Sequence, residues 1–214
     1  MAKLPDNISV TVQAKGSVIK IPSQKQLEEQ FRPYAAELGR LVFAWNRLHE
    51  TLAALFWAIT GFKRSSMAHA IWYATDSERT QRQMLRRLAA VVFSNDSEKR
   101  NGVTWLLNEI DSSLAGNRND AIHTPLAFFT DSFGVELRPD SFSGSPRAKG
   151  LAGKDLMIEF NWYRERADVF SAYAEKMRAV LINPKLQSWP ETPALPQKAQ
   201  TKSRKATPHQ KPGK

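Results

Sequence analysis

Arg118, Asn119, Asp120 and His123 crowd into the stretch GNRNDAIHTP, residues 116–125. These residue types can cleave a phosphodiester. An imidazole near its ordinary pKa takes or gives a proton at neutral pH. A guanidinium is always charged and makes forked contacts to phosphoryl oxygens as charge builds on them. On a helix Asn119 shares a face with His123, four residues on. Arg118 lies about 140° round the axis from His123, at ~100° per residue. A long side chain at a helix N-terminus can still swing toward the same anion, which the open N–H groups of a first turn also attract. The competing reading is a capped turn whose Arg and His bind carboxylates or backbone carbonyls.

The spacing alone is weak evidence. R-x4-H occurs as Arg64/His69, Arg118/His123 and Arg204/His209. Arg204/His209 falls in a Pro-, Lys- and Ser-rich tail where nothing preorganises it. His69 sits among Ala68, Ala70, Ile71 and Trp72 and reads as a packed helix residue. Around Arg118 the local grammar is richer. Gly116 can stop the preceding helix. Asn117 can cap a new turn, with Asp120 as an acid inside it. Pro125 disfavours helical geometry at Thr124 and keeps that turn short.

The elements that must position these groups are helical. Leu38, Leu41, Val42, Trp45, Leu48, Leu52, Leu55, Phe56 and Ile59 recur at three and four, which predicts a long helix from about Pro33 to Thr60. Gly61 ends it. A short helix follows around Ser65–Ala74. TDSE (75–78), with Thr75 as N-cap, and NDSE (95–98), with Asn95 as N-cap, predict the starts of a third and a fourth helix. The fourth runs through Leu114. Residues 126–154 read as an excursion outside the core, with AFF and FGVEL as short strands. Leu156, Phe160, Tyr163, Ala167, Phe170, Ala174, Met177 and Leu181 predict a last helix over 155–182. Its seam wants another helix, in this chain or a second copy. Residues 1–23 are peripheral, and ISVTV and SVIKI predict a small hairpin. The fold class expected is all-α: an antiparallel helical bundle over 24–183, with a small irregular or β insertion and a disordered basic tail over 184–214.

Two further groups of polar residues lie on these helices. Asn46 and Glu50 share a face of the first helix, and Glu50 either orients His123 or Arg118 or belongs to a solvated edge. Arg79, Arg82 and Arg86 recur on the third helix, as an RNA-phosphate stripe or a solvated face. His49 reads as structural, and the six tryptophans as core or interface, Trp72 and Trp189 less clearly.

Composition narrows the classes. The chain has 214 residues, no cysteine and a formal net charge of +10. Residues 184–214 hold seven Lys/Arg against one Glu, so +6 of that charge sits in the tail. A polyanionic partner fits. Thiolate metal sites and disulfides are excluded. There is no phosphate loop, no dinucleotide fingerprint and no HExxH, and no two histidines stand four apart. No metal and no cofactor is expected. The start lacks a signal-peptide run, and the longest apolar run, Leu52–Ile59, is far short of the ~20 residues that cross a bilayer. A cytoplasmic protein with no membrane partner is expected.

Arg118-Asn119-Asp120-Ala121-Ile122-His123, late in a helical bundle, resembles the signature of HEPN domains (higher eukaryotes and prokaryotes nucleotide-binding). The resemblance covers the helical order from about 33 to 182. It implies a metal-independent endoribonuclease, with Arg118 and His123 catalytic and Asn119 as the polar second position. It also implies a homodimer with a composite active site, and a toxin or phage-defence role with an antitoxin or regulatory partner. One toxin branch carries a Tyr two residues after the His; Pro125 stands there instead, which argues against that kind of modification. Two other classes stay open: a non-catalytic helical dimerisation module, and an RNA-binding protein without cleavage activity.

Overall fold

A computed structural model describes residues 10–14, 17–131, 134–185 and 188–199. The fold is all-α with a small β insertion. The spine is α1 (Gln24–Thr60), followed by α2 (Ser65–Trp72), α3 (Glu78–Val92), α4 (Ser97–Ser113) and α5 (Ala115–His123). After the insertion comes α7 (Leu156–Ile182), with the short α6 (Pro146–Leu151) before it. Two strands, β1 (Val10–Ala14) and β2 (Ser17–Ile21), precede α1 as an antiparallel pair. Residues 8–9 of the expected hairpin lie outside the described residues.

α1 starts nine residues before Pro33, so that proline lies inside the helix instead of in its first turn. The start is fixed by a capping box. The Ser23 side chain accepts from the Gln26 N–H, and the Gln26 side chain accepts from the Ser23 N–H. Residues 24–36 carry almost no buried side chain, so hydrophobic spacing could not reveal them. The helix ends as expected at Gly61, whose φ of 66° is the left-handed conformation a glycine adopts freely.

The other caps shift by one or two residues. Ser77, not Thr75, caps α3, accepting from the Thr80 N–H. Asp96, not Asn95, caps α4; its carboxylate takes both the backbone N–H and the ammonium of Lys99.

The apolar stripes of α1 and α7 make the centre of the core. Leu41, Trp45, Leu48, Leu52 and Leu55 of α1, and Phe160, Tyr163, Ala167, Phe170 and Ala174 of α7, are all buried. The seam of α7 is therefore filled within the chain. Helix directions are mixed. Glu37–Arg164, Arg47–Asp168 and Thr51–Ser171 pair in ascending order, so α1 and α7 run the same way. Trp45–Glu78 and His49–Arg82 give α3 that direction too. α4 runs opposite to α3 and α7, through Arg82–Asp111 and Arg86–Asn108 on one side and Glu109–Arg166 on the other.

The 126–154 segment forms strands β3 (Leu126–Asp131) and β4 (Gly134–Pro139), an antiparallel hairpin, then a 3-10 turn and α6. It is not wholly outside the core: Leu137, Ala148 and Leu151 are buried. Past Pro184, residues 188–199 lie along the bundle. Trp189 and Leu195 pack on the core, and Tyr173 and Trp162 donate to the carbonyls of Pro190 and Pro196. Lys198 pairs with the buried Glu159. Residues 200–214 lie outside the described residues.

Candidate active site

The helix that carries the motif is built differently from its sequence signals. The break after α4 falls at Leu114, whose φ of −125° leaves the helical region. Gly116 lies in the first turn of α5 and does not terminate α4. Asn117 is not a cap: it sits inside α5 and its side chain donates to the Ser113 carbonyl at 2.8 Å, stitching the two helices across the break. Leu114 is fully buried, so packing decides where the chain bends. α5 then continues unbroken to His123, and Thr124 leaves it with a ψ of 125°, as a residue before proline must.

An unbroken α5 separates the two principal residues. Arg118 turns inward against α1, its guanidinium carbon 5.2 Å from the centre of the Trp45 ring. One terminal nitrogen donates to the side-chain amide oxygen of Asn119, Oδ1, at 2.9 Å. Its Nε is buried and has no acceptor among the described residues. His123, the last residue of α5, is exposed, as is Asn119 one turn earlier. Asp120 faces the insertion, 3.8 Å from Arg147, and its charge adds to the burial that pushes the Tyr163 phenol up to about 12. Within one chain, then, Arg118 and Asn119 meet, whereas His123 stands apart on the surface. Asn46 and Glu50 are exposed on α1 and make no hydrogen bond or ion pair among the described residues.

The arginine stripe splits. Arg79 is exposed. Arg82 is not a surface residue at all; its side chain is 5% exposed and bonds Asp111 at 2.7 Å. Arg86 bridges Asn108 at 2.6 Å and Asp111 at 3.2 Å. Two of the three expected phosphate contacts are thus engaged in holding α3 to α4, because α4 presents Asn108 and Asp111 one turn apart toward them.

The groups around Arg118 were not singled out by motif. Trp45 is the platform for both Arg118 and Arg82, whose guanidinium carbon lies 5.8 Å from the ring centre. Its indole N–H donates to Glu78 at 2.9 Å. His49, one turn on, stacks beside Trp45 at 4.7 Å. Burial lowers the His49 pKa to about 4, and the Arg82 and Arg118 charges press the same way, against Glu78. The imidazole is therefore neutral at pH 7. Its Nε2 lies 3.4 Å from Arg82, and since a guanidinium only donates, Nε2 is the accepting nitrogen. The sequence signal for this cluster exists: Trp45/His49 and Glu78/Arg82 are each one helical turn apart. Trp72, doubtful from spacing, is fully buried against Phe56. His69 is half-buried beside Tyr73, and Arg204/His209 lies outside the described residues.

Among the described residues no helix is long and apolar enough to cross a membrane. No group of three or more His, Cys, Asp or Glu converges among them as a metal site. No family model, no curated protein and no solved structure matches this chain.

Proposed function

We propose that this protein is a metal-independent endoribonuclease of HEPN type, acting as a homodimer, with Arg118 and His123 catalytic and Asn119 supporting. The observation that carries the reading is the contrast on α5. Arg118 is packed on Trp45 beside a neutral His49, while His123 at the end of the same helix is exposed and engaged with no side chain among the described residues. Among the described residues no side chain occupies the His123 imidazole, which leaves both ring nitrogens open to a substrate in the proposed reaction. The ~140° between the two residues on a regular helix supports a site composed across two copies, each bringing the same residues from the opposite side.

In the proposed reaction one His123 takes the proton of an RNA 2′-hydroxyl. The 2′-oxygen attacks the adjacent phosphorus, and the bond to the 5′-oxygen breaks. The second copy's His123 protonates that leaving oxygen. Products are a 2′,3′-cyclic phosphate and a 5′-hydroxyl end. Arg118 neutralises the phosphoryl oxygens as negative charge accumulates. Asn119, bonded to Arg118, fixes the direction of that guanidinium. A toxin or defence-effector role, with a regulatory partner, extends the same resemblance.

A DNA oligonucleotide carrying one ribonucleotide tests the chemistry. Cleavage only on the 3′ side of that ribonucleotide, leaving a cyclic phosphate, is expected. Cleavage at deoxynucleotides would contradict it. Tight binding without cleavage would favour an RNA-binding protein.

A further inference from the structure

The side of α1 away from Trp45 carries a second feature that the proposed reaction does not use. Phe43 is 70% exposed there, the more exposed of the two phenyl rings, with Phe31, that α1 leaves on its surface. It lines a shallow groove between α1 and α7 together with Ala36, Gly39, Arg40, Arg47, Arg164 and Asp168. A side-chain carbon built on Gly39 would meet nothing within 4 Å, so the surface of α1 one turn before the ring is open. The sequence behind this is R-x2-F-x3-R over 40–47. Spacings of three and four set a guanidinium one turn before and one turn after the ring on the same face.

The charges of the groove are uneven. Glu37 accepts from Arg40 at 2.8 Å and from Arg164 at 3.1 Å. Asp168 accepts from Arg47 at 2.7 Å and lies 3.5 Å from Arg164. Three arginines share two carboxylates, and Glu37 is buried beneath them. These five side chains carry one net positive charge, and the arginines keep N–H groups beyond those bonded to the carboxylates. Arg40 and Arg47 are 66% and 52% exposed. A flat ring flanked by guanidinium groups suits a partner with alternating flat bases and anionic links. A second copy of the chain fits worse, since facing grooves would oppose like charges.

We propose that this groove binds single-stranded RNA, one base stacking on Phe43 and the neighbouring phosphates lying against Arg40 and Arg47. It rests on the ribonuclease reading only for the strand being RNA. Stacking on an aromatic tolerates any base, so the groove adds affinity without sequence preference.

The test is fluorescence anisotropy of the full chain with a labelled 2′-O-methyl oligouridine, which cannot be cleaved, with light scattering at the same concentrations. Phe43→Leu is expected to weaken binding by roughly tenfold, the scale of losing one stacked base. Phe43→Trp is expected to keep it. Equal binding by wild type and Phe43→Leu would overturn the proposal, as would a dimer that Phe43→Leu dissociates, which would make this face a contact between copies. Because the probe resists cleavage, failure here leaves the ribonuclease reading standing. Loss of cleavage with the stacking effect intact would leave the groove standing.

Discussion

Arg118 and Trp45 meet face to guanidinium across α5 and α1, 5.2 Å from charge centre to ring centre. Arg82 reaches the same ring, and Glu78 anchors it through the indole N–H. The motif helix is thereby tied to the spine by an aromatic platform that is itself held by α3. Replacing Trp45 by Phe keeps a ring under Arg118 but leaves the Glu78 carboxylate without its donor. The expected cost is at least about 2 kcal/mol in urea unfolding, the scale of a hydrogen bond to a charged group, with the cavity left by the smaller buried ring adding to it, and RNA cleavage retained. A variant as stable as wild type would show that the Glu78 bond contributes nothing.

His49 makes stability depend on pH. Its pKa is about 4 in the fold against ~6.5 in an unfolded chain. Between those values the unfolded chain binds a proton that the folded one refuses, so stability falls as pH drops from 6.5 toward 4. The expected contribution is about 3 kcal/mol across that window, taking ~1.4 kcal/mol per unit. His49→Gln should remove it. Measured by urea unfolding from pH 7 to pH 4, the stability of wild type should fall by about 3 kcal/mol relative to His49→Gln; a constant difference would show that His49 is not the titrating group.

Asp111 is the shared acceptor of Arg82 and Arg86. Asp111→Asn would leave the buried Arg82 without its counter-charge. Asp111 is itself 39% exposed, so a loss of about 1 to 2 kcal/mol is expected, between that of an exposed pair and that of a fully buried one. Arg86, half-exposed and still bonded to Asn108, should contribute little to the change. A double-mutant cycle with Arg82→Met separates the two arginines.

Gly102 gives the 188–199 segment its seat. A side-chain carbon there would lie 2.7 Å from the Trp189 indole nitrogen and 3.0 Å from the Tyr173 hydroxyl. Gly102→Ala should therefore displace Trp189, although alanine by itself favours the helix by ~1 kcal/mol. Faster tryptic cleavage at Lys198 and a red-shifted tryptophan emission are expected. Unchanged cleavage would mean that the segment is not held through Trp189.

How far these features could be read from sequence depends on what each element uses to stay in place. α7 was legible to within a residue, because its whole length buries one seam and Asp155 caps it. The first third of α1 was not, since Ser23 and Gln26 hold it without an apolar stripe. The α3 cap lies two residues past Thr75, at Ser77, and Glu78 bonds Trp45, a partner that local spacing could not show. At the site, residue types and spacing marked Arg118 and His123 but misread their helix: the buried Leu114 sets the bend that Gly116 was expected to make. Charge spacing cannot distinguish a solvated stripe from one facing acids on the next helix, so Arg82 and Arg86 became visible as structural only beside Asp111.

The most direct measurement is cleavage of total RNA by the purified protein in excess EDTA, beside His123→Ala and Arg118→Ala. His123 is exposed, so its variant should keep the wild-type unfolding midpoint and oligomeric state. Wild type should yield fragments ending in 2′,3′-cyclic phosphate, and neither variant should yield any. Cleavage that persists in folded His123→Ala would contradict it.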